Sequence, residues 1–184
     1  MHLSNVGPKS YRFCPQCGIP NNADPQSATI RFMCPSCGFV AYRNPLPGVS
    51  ILIENDGEVL LGRRAANSFA CESWCLPCGF VEYNEDILAA AAREVVEETG
   101  LTVGLQSIIQ VTSNFLSPES HTIVTVFLAT VKSGTLRPGD DLDIVKWFPL
   151  SGPFPQLAFE ADKEIITRYS LAPIVGLSLE ERPH

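Results

Sequence analysis

Two Cys-Pro-x-Cys pairs, Cys14-Pro15-Gln16-Cys17 and Cys34-Pro35-Ser36-Cys37, stand sixteen residues apart near the start of this 184-residue chain. The spacing is that of a structural zinc site, with Cys14, Cys17, Cys34 and Cys37 as ligands of one Zn2+. Gly18 and Gly38 follow the pairs and allow the tight turns that aim both sulfurs at one ion. The segment has too few large apolar side chains for a core of its own, so the ion must supply much of its folding energy. Four reduced, unligated cysteines are the weaker alternative. The chain has seven cysteines, an odd number, and Met1–Ser10 has no apolar leader stretch, which argues against a disulfide framework.

The stretch Asn44-Pro45-Leu46-Pro47-Gly48 reads as a linker, because its prolines cannot continue a helix or a central strand. It divides the chain into a small module, residues 1–44, and a larger one, residues 45–184. Charge divides at the same place. Lys9, Arg12, Arg31 and Arg43 against Asp24 make the first module +3, and the remainder carries −10 of a total of −7. Four thiolates and one Zn2+ would reduce the first module to about +1, which leaves little to neutralise phosphates and disfavours nucleic acid as a partner. No apolar run is long enough to span a bilayer, so the expectation is a cytoplasmic protein with no membrane partner.

Within the larger module, Val49–Ile53 and Glu58–Leu61 read as strands around an Asn55-Asp56-Gly57 turn. A helix is expected over Glu85–Thr99, with Ile87, Leu88, Ala91 and Val95 at helical spacing and Gly100 to end it. Val103–Val111 and Ile123–Val131 read as strands joined through a turn at Ser117-Pro118-Glu119-Ser120. Asp143–Phe148 is another strand and Phe159–Leu171 a second helix. Mixed strands with two helices make an α+β module, a sheet covered by helices.

The helix carries the chemistry. Glu94 lies over Glu97 and Glu98 at i+3 and i+4, so three carboxylates converge with only Arg93 nearby as a cation. Like charges held together are most simply explained by a divalent ion, and hard oxygen ligands favour Mg2+ or Mn2+. A solvated acidic face is the competing explanation.

From Gly79 to Leu101 the chain follows the pattern G-x5-E-x7-R-E-U-x-E-E-x-G-U, where U is apolar, at every specified position. In this it resembles the Nudix hydrolases, which cut nucleoside diphosphates linked to another moiety. The resemblance implies a mixed sheet sandwiched between helices, here preceded by a small β zinc ribbon. It implies Glu94, Glu97, Glu98 and the Gly79 carbonyl as ligands of a catalytic Mg2+ or Mn2+, with Glu85 and Arg93 as a pair orienting loop and helix. The base is left open between Glu94 or Glu98 and a later acid, Glu119, Asp140, Asp141 or Asp143. Just before the box, Trp74-Cys75-Leu76-Pro77-Cys78-Gly79 places Cys78 where many relatives have Gly. With Cys71 it suggests three packed, buried thiols rather than a second zinc site.

A ribbon leading through Tyr42-Arg43-Asn44-Pro45 into the box, with Val126-Phe127-Leu128-Ala129 and Leu157-Ala158-Phe159, resembles the FAD/ADP-ribose pyrophosphatases of the plant chloroplast type. The NADH pyrophosphatases are a weaker match, since the segment Val111–Leu116 lacks their hallmark after the box. The expectation is therefore hydrolysis of FAD or ADP-ribose to AMP and a second phosphate ester. Removal of an NAD cap from RNA and a non-catalytic nucleotide sensor that binds nucleic acid are the alternatives. Arg63 and Arg64 are candidates for phosphate contact, and Phe69, Tyr83 and Phe115 for stacking on a base. The Ile123–Val131 strand and the ribbon could each support a homodimer.

Overall fold

The computed structural model describes residues 11–21, 31–42, 44–117 and 120–179. Near the start, β1 (Arg31–Met33) pairs antiparallel with β2 (Val40–Tyr42), which sets Phe32 opposite Ala41. Phe32, Ala41, Cys14 and Cys34 form a miniature core with Phe39 packed against it. At each cysteine pair the chain folds back on itself. The Gly18 N–H donates to the Cys14 carbonyl at 2.9 Å and the Gly38 N–H to the Cys34 carbonyl at 3.0 Å. Both glycines have a φ above +70°, a left-handed conformation costly for other residues.

The larger module contains β3 (Leu46–Asn55), β4 (Glu58–Arg64), β5 (Trp74–Cys75), β6 (Cys78–Phe80), α1 (Ile87–Thr99), β7 (Leu101–Ser117), β8 (Ser120–Gly134), β9 (Leu142–Pro149), α2 (Glu160–Leu171) and β10 (Leu177–Ser178). The strands make one sheet in the order β10-β7-β8-β3-β4-β5, with β6 also on β3 and β9 also on β4. β3 runs parallel to β8 over nine residue pairs, from Leu46 opposite Thr122 to Glu54 opposite Thr130. The sheet's other pairings are antiparallel, so it is mixed.

Strand period decides which helix covers which face. Val49, Ile51 and Ile53 of β3 pack with Ala90, Ala91 and Val95 of α1. Leu52, one residue out of phase, packs with Val59 and Leu61 against Ile165 and Ile166 of α2. Both faces of β3 are thus buried, which is why its sequence is a nearly unbroken apolar run. The expected sandwich of a mixed sheet between helices is what the chain forms.

Two expectations are corrected. Leu46-Pro47-Gly48 is not a linker but the first part of β3, paired with Thr122, Ile123 and Val124. Pro47 is tolerated at the start of a strand, and its carbonyl still accepts the Val81 N–H at 3.2 Å. Helix α1 starts at Ile87 rather than Glu85, because Asp86 caps it by accepting the Leu88 N–H at 2.9 Å. The Asn55-Asp56-Gly57 hairpin forms as expected, with positive φ at Asp56 and Gly57. Pro118 and Glu119 of the other expected turn lie outside the described residues, between strands longer than their apolar runs suggested. Among the described residues no helix is long and apolar enough to cross a membrane.

Candidate active site

Because α1 packs beside β6, its inward carboxylates reach the loop that precedes it. Glu98, 1% exposed, accepts the Cys78 N–H at 2.9 Å. Glu94, also buried, lies so close to Gly79 that a Cβ there would strike its carboxylate. Glu97 faces solvent. Desolvation lifts Glu98 well above the usual carboxylate range and lifts Glu94 less far.

Arg93 binds this acidic helix to its loop. Its guanidinium donates to both Glu85 oxygens at 2.8 and 2.9 Å, to Glu94 at 2.9 Å, to Glu97 at 2.9 Å and to the Phe80 carbonyl at 3.1 Å. The hydrogen bonds from Arg93 hold Glu85 below its ordinary pKa. With Glu94 and Glu97 drawn to Arg93 and Glu98 to a backbone amide, the three carboxylates are not gathered into one tight cluster. Among the described residues, only the four cysteines bring three or more His, Cys, Asp or Glu ligand atoms within 4.8 Å of one another.

Beside these acids a cleft opens, lined by residues of β3, β7 and β8 and by Phe69, Phe159 and Asp162. Asp162, from α2, is 6% exposed and accepts the Leu76 N–H at 3.0 Å. Its burial raises its pKa to about 7. Arg64 is buried with it, and donates to the Phe69 carbonyl, to Cys75 Sγ at 3.8 Å and to Asp141 at 3.4 Å.

In the small module, Sγ of Cys14 is 3.7 Å from that of Cys37, and Cys17 is 3.6 Å from Cys34. A tetrahedron with metal–sulfur bonds of about 2.3 Å has edges of about 3.8 Å, so the four sulfurs can hold a metal ion with little movement. Backbone N–H groups of Cys37 and then Ser36 favour the Cys34 thiolate and help lower its pKa to about 6, which suits a ligand.

Residues 44–169 match the NUDIX domain family. The chain belongs to the Nudix family. An ADP-ribose pyrophosphatase of Methanocaldococcus jannaschii is 39% identical over 67% of this chain and 73% of its own length. An NAD-capped RNA hydrolase NudC of Deinococcus radiodurans is 32% identical over 86% of this chain but only 56% of its own length. This chain spans about half the length of the NudC relatives. The crystal structure of a NUDIX hydrolase from Nitrosomonas europaea superposes with a TM-score of 0.71, at 31% identity over 86% of this chain and 90% of that one.

Of the box residues, Gly79, Arg93, Glu94, Glu97 and Glu98 line the cleft, and Glu85 joins them through its ion pair with Arg93. Of the candidate substrate contacts, Arg64 and Phe69 line the cleft. Arg63 instead grips Asp143 with two 2.8 Å hydrogen bonds. A register shift between Arg63 and Arg64 in the β4–β9 pairing accompanies their divergence. Tyr83 is fully exposed, and Phe115 stacks on His121 at 4.1 Å with most of its surface exposed; neither lines the cleft. Asp140 and Asp141 reach the cleft, Asp143 does not, and Glu119 lies outside the described residues.

The trio of buried thiols is corrected: Cys75 is buried and Cys78 half-buried, but Cys71 is exposed. Cys71 sits between Ala70 and Glu72, both with positive φ, in a loop that turns it outward. Asp162 was not foreseen. It sits in an acidic helix where only tertiary packing distinguishes it from Glu160 and Glu164.

Proposed function

We propose that this Nudix enzyme hydrolyses the pyrophosphate of an adenine nucleoside diphosphate linked to a second moiety, ADP-ribose or FAD, releasing AMP and a second phosphate ester. The observation that carries the reading is the placing of Glu94 and Glu98 against the Gly79 loop at the rim of a cleft with aromatic and apolar walls. The resemblance to a 39% identical ADP-ribose pyrophosphatase supports the substrate class.

The residues fit a catalytic divalent cation. A side chain at position 79 would fill the space against Glu94, buried Glu98 has a backbone amide as its hydrogen-bond donor, and the donor set is hard oxygen. Glu94, Glu97, Glu98 and the Gly79 carbonyl would hold Mg2+ or Mn2+. When bound, such an ion offsets charge on pyrophosphate oxygens and acidifies water. Glu94 and Glu98, lifted by burial, are the carboxylates suited to accept a proton from the attacking water. Glu85 and Arg93 would orient the loop, and Zn2+ in the four-cysteine site would hold the small module folded.

A panel of ADP-ribose, FAD, NADH, NAD, dNTPs and NAD-capped RNA, each with Mg2+ or Mn2+, tests the reading. ADP-ribose or FAD should be the best substrate, with AMP as product. Preference for dNTPs or capped RNA would replace the proposed substrate class. Glu97→Gln should lower kcat by roughly 100-fold or more with Tm unchanged, since Glu97 is exposed. Wild-type turnover by that variant would overturn the metal assignment.

A further inference from the structure

Ser50 lies in the middle of β3, between buried Val49 and Ile51, and is 3% exposed. Its hydroxyl is buried with no hydrogen-bond partner among the described residues, and Ser50 is one of the residues that line the cleft. A buried hydroxyl left unsatisfied destabilises the free protein, and Ala in its place would avoid that cost. The position is well fixed. Ser50 pairs with Cys78 across β3 and β6, and the neighbouring Ile51 N–H donates to the Pro77 carbonyl at 2.8 Å. The same segment, two residues earlier, is held at Leu76 by the Asp162 carboxylate. Ser50 and Asp162 therefore flank one stretch of backbone from the sheet and from α2, and both line the cleft.

The surroundings indicate what such a pair would meet. From β7 and β8 the cleft is lined by apolar Leu116, Val124 and Val126 and by polar Thr112, Asn114 and Thr122. Phe69 and Phe159 also line it, their rings 6.1 Å apart and 14° from parallel, with the Arg64 guanidinium 5.8 Å from the Phe159 ring centre. Aromatic and apolar side chains that share a cleft with a hydroxyl and a carboxyl suit a heteroaromatic ring with an edge that both donates and accepts.

We propose that Ser50, with Asp162, reads the edge of the substrate's nucleobase, and that this pair selects a base with an exocyclic amino group beside a ring nitrogen, as adenine has. The inference rests on the proposed nucleotide substrate and adds the residues that choose the base. Ser50 would donate to the ring nitrogen while Asp162 accepts from the amino group.

The test is calorimetric binding of AMP and UMP to wild-type protein and to Ser50→Ala. The variant should bind AMP roughly three- to tenfold more weakly, with UMP changed by less than twofold. Its Tm without nucleotide should equal or exceed that of wild type, which separates lost recognition from lost packing. Ser50→Thr, which keeps the hydroxyl, should restore AMP affinity. An unchanged AMP-to-UMP ratio in Ser50→Ala would overturn the proposal, as would a wild-type protein that binds neither nucleotide. Absence of turnover on every diphosphate substrate, with AMP still bound through Ser50, would instead overturn only the hydrolytic reading.

Discussion

Asp162 shows what burial does to one side chain. Its carboxyl, lifted from 3.8 to about 7 by desolvation, holds its proton more tightly in the folded chain than in the unfolded one. The stability associated with that proton is complete below the unfolded pKa and is lost as pH rises from about 4 to about 7. Asp162→Asn can still accept the Leu76 N–H but cannot ionise, so its urea-unfolding free energy should fall less than wild type's between about pH 5 and pH 8. Equal slopes would show that Asp162 is ionised across the whole range. The sequence conceals this residue, and Ser50 beside it, for the same reason: each owes its role to partners far away in the chain. The places of Gly79, Glu85 and Arg93 to Glu98 were legible because they follow from spacing along one loop and one helix. A lone Ser within the apolar run Val49–Ile53 was the one available clue to the cleft floor.

At the level of elements, α1 depends on its ends. Gly100 has φ +70° and closes the helix by donating to the Val96 carbonyl, and a Cβ there would stand 2.6 Å from the Thr135 carbonyl. Gly100→Ala should cost at least roughly 1–2 kcal/mol, and more than Asp86→Ala, at about 1 kcal/mol. Chemical denaturation of both variants checks the order, and a smaller loss for Gly100→Ala would mean that the left-handed turn relaxes freely. Helix and strand types were legible from periodicity and turn residues. Their limits were not, since the length of β7 and β8 comes from mutual pairing over fourteen positions and not from apolar content. The start of β3 was misread for a related reason. Pro47 is a local signal against regular structure, but β8 supplies a partner that outweighs it.

Across the whole molecule, the two-stranded sheet and the eight-stranded sheet have separate cores. The small core contains two of its own candidate metal ligands, Cys14 and Cys34, so metal and fold should be lost together there. Withdrawing Zn2+ with a strong chelator should release about one ion per chain and unfold the small module while the large one keeps its cooperative transition. A thiol reagent added to the zinc-loaded protein should label exposed Cys71 first, with Cys14, Cys17, Cys34 and Cys37 following after chelation. Immediate labelling of five thiols would mean that the cysteine site holds no metal.

The reach of Arg93 to Glu85, Glu94 and Glu97 has a thermodynamic corollary. The guanidinium is an internal counter-ion, so loading the proposed divalent ion would be an exchange in which one cation displaces another from shared oxygens. Apparent metal affinity is then the difference of two large terms. Glu85, which pairs with Arg93 and also accepts the Glu82 N–H at 3.3 Å, would set the exchange by giving the displaced arginine somewhere to remain. Weakening that retreat by Glu85→Gln should show first as a higher Mg2+ requirement and only later as lost turnover.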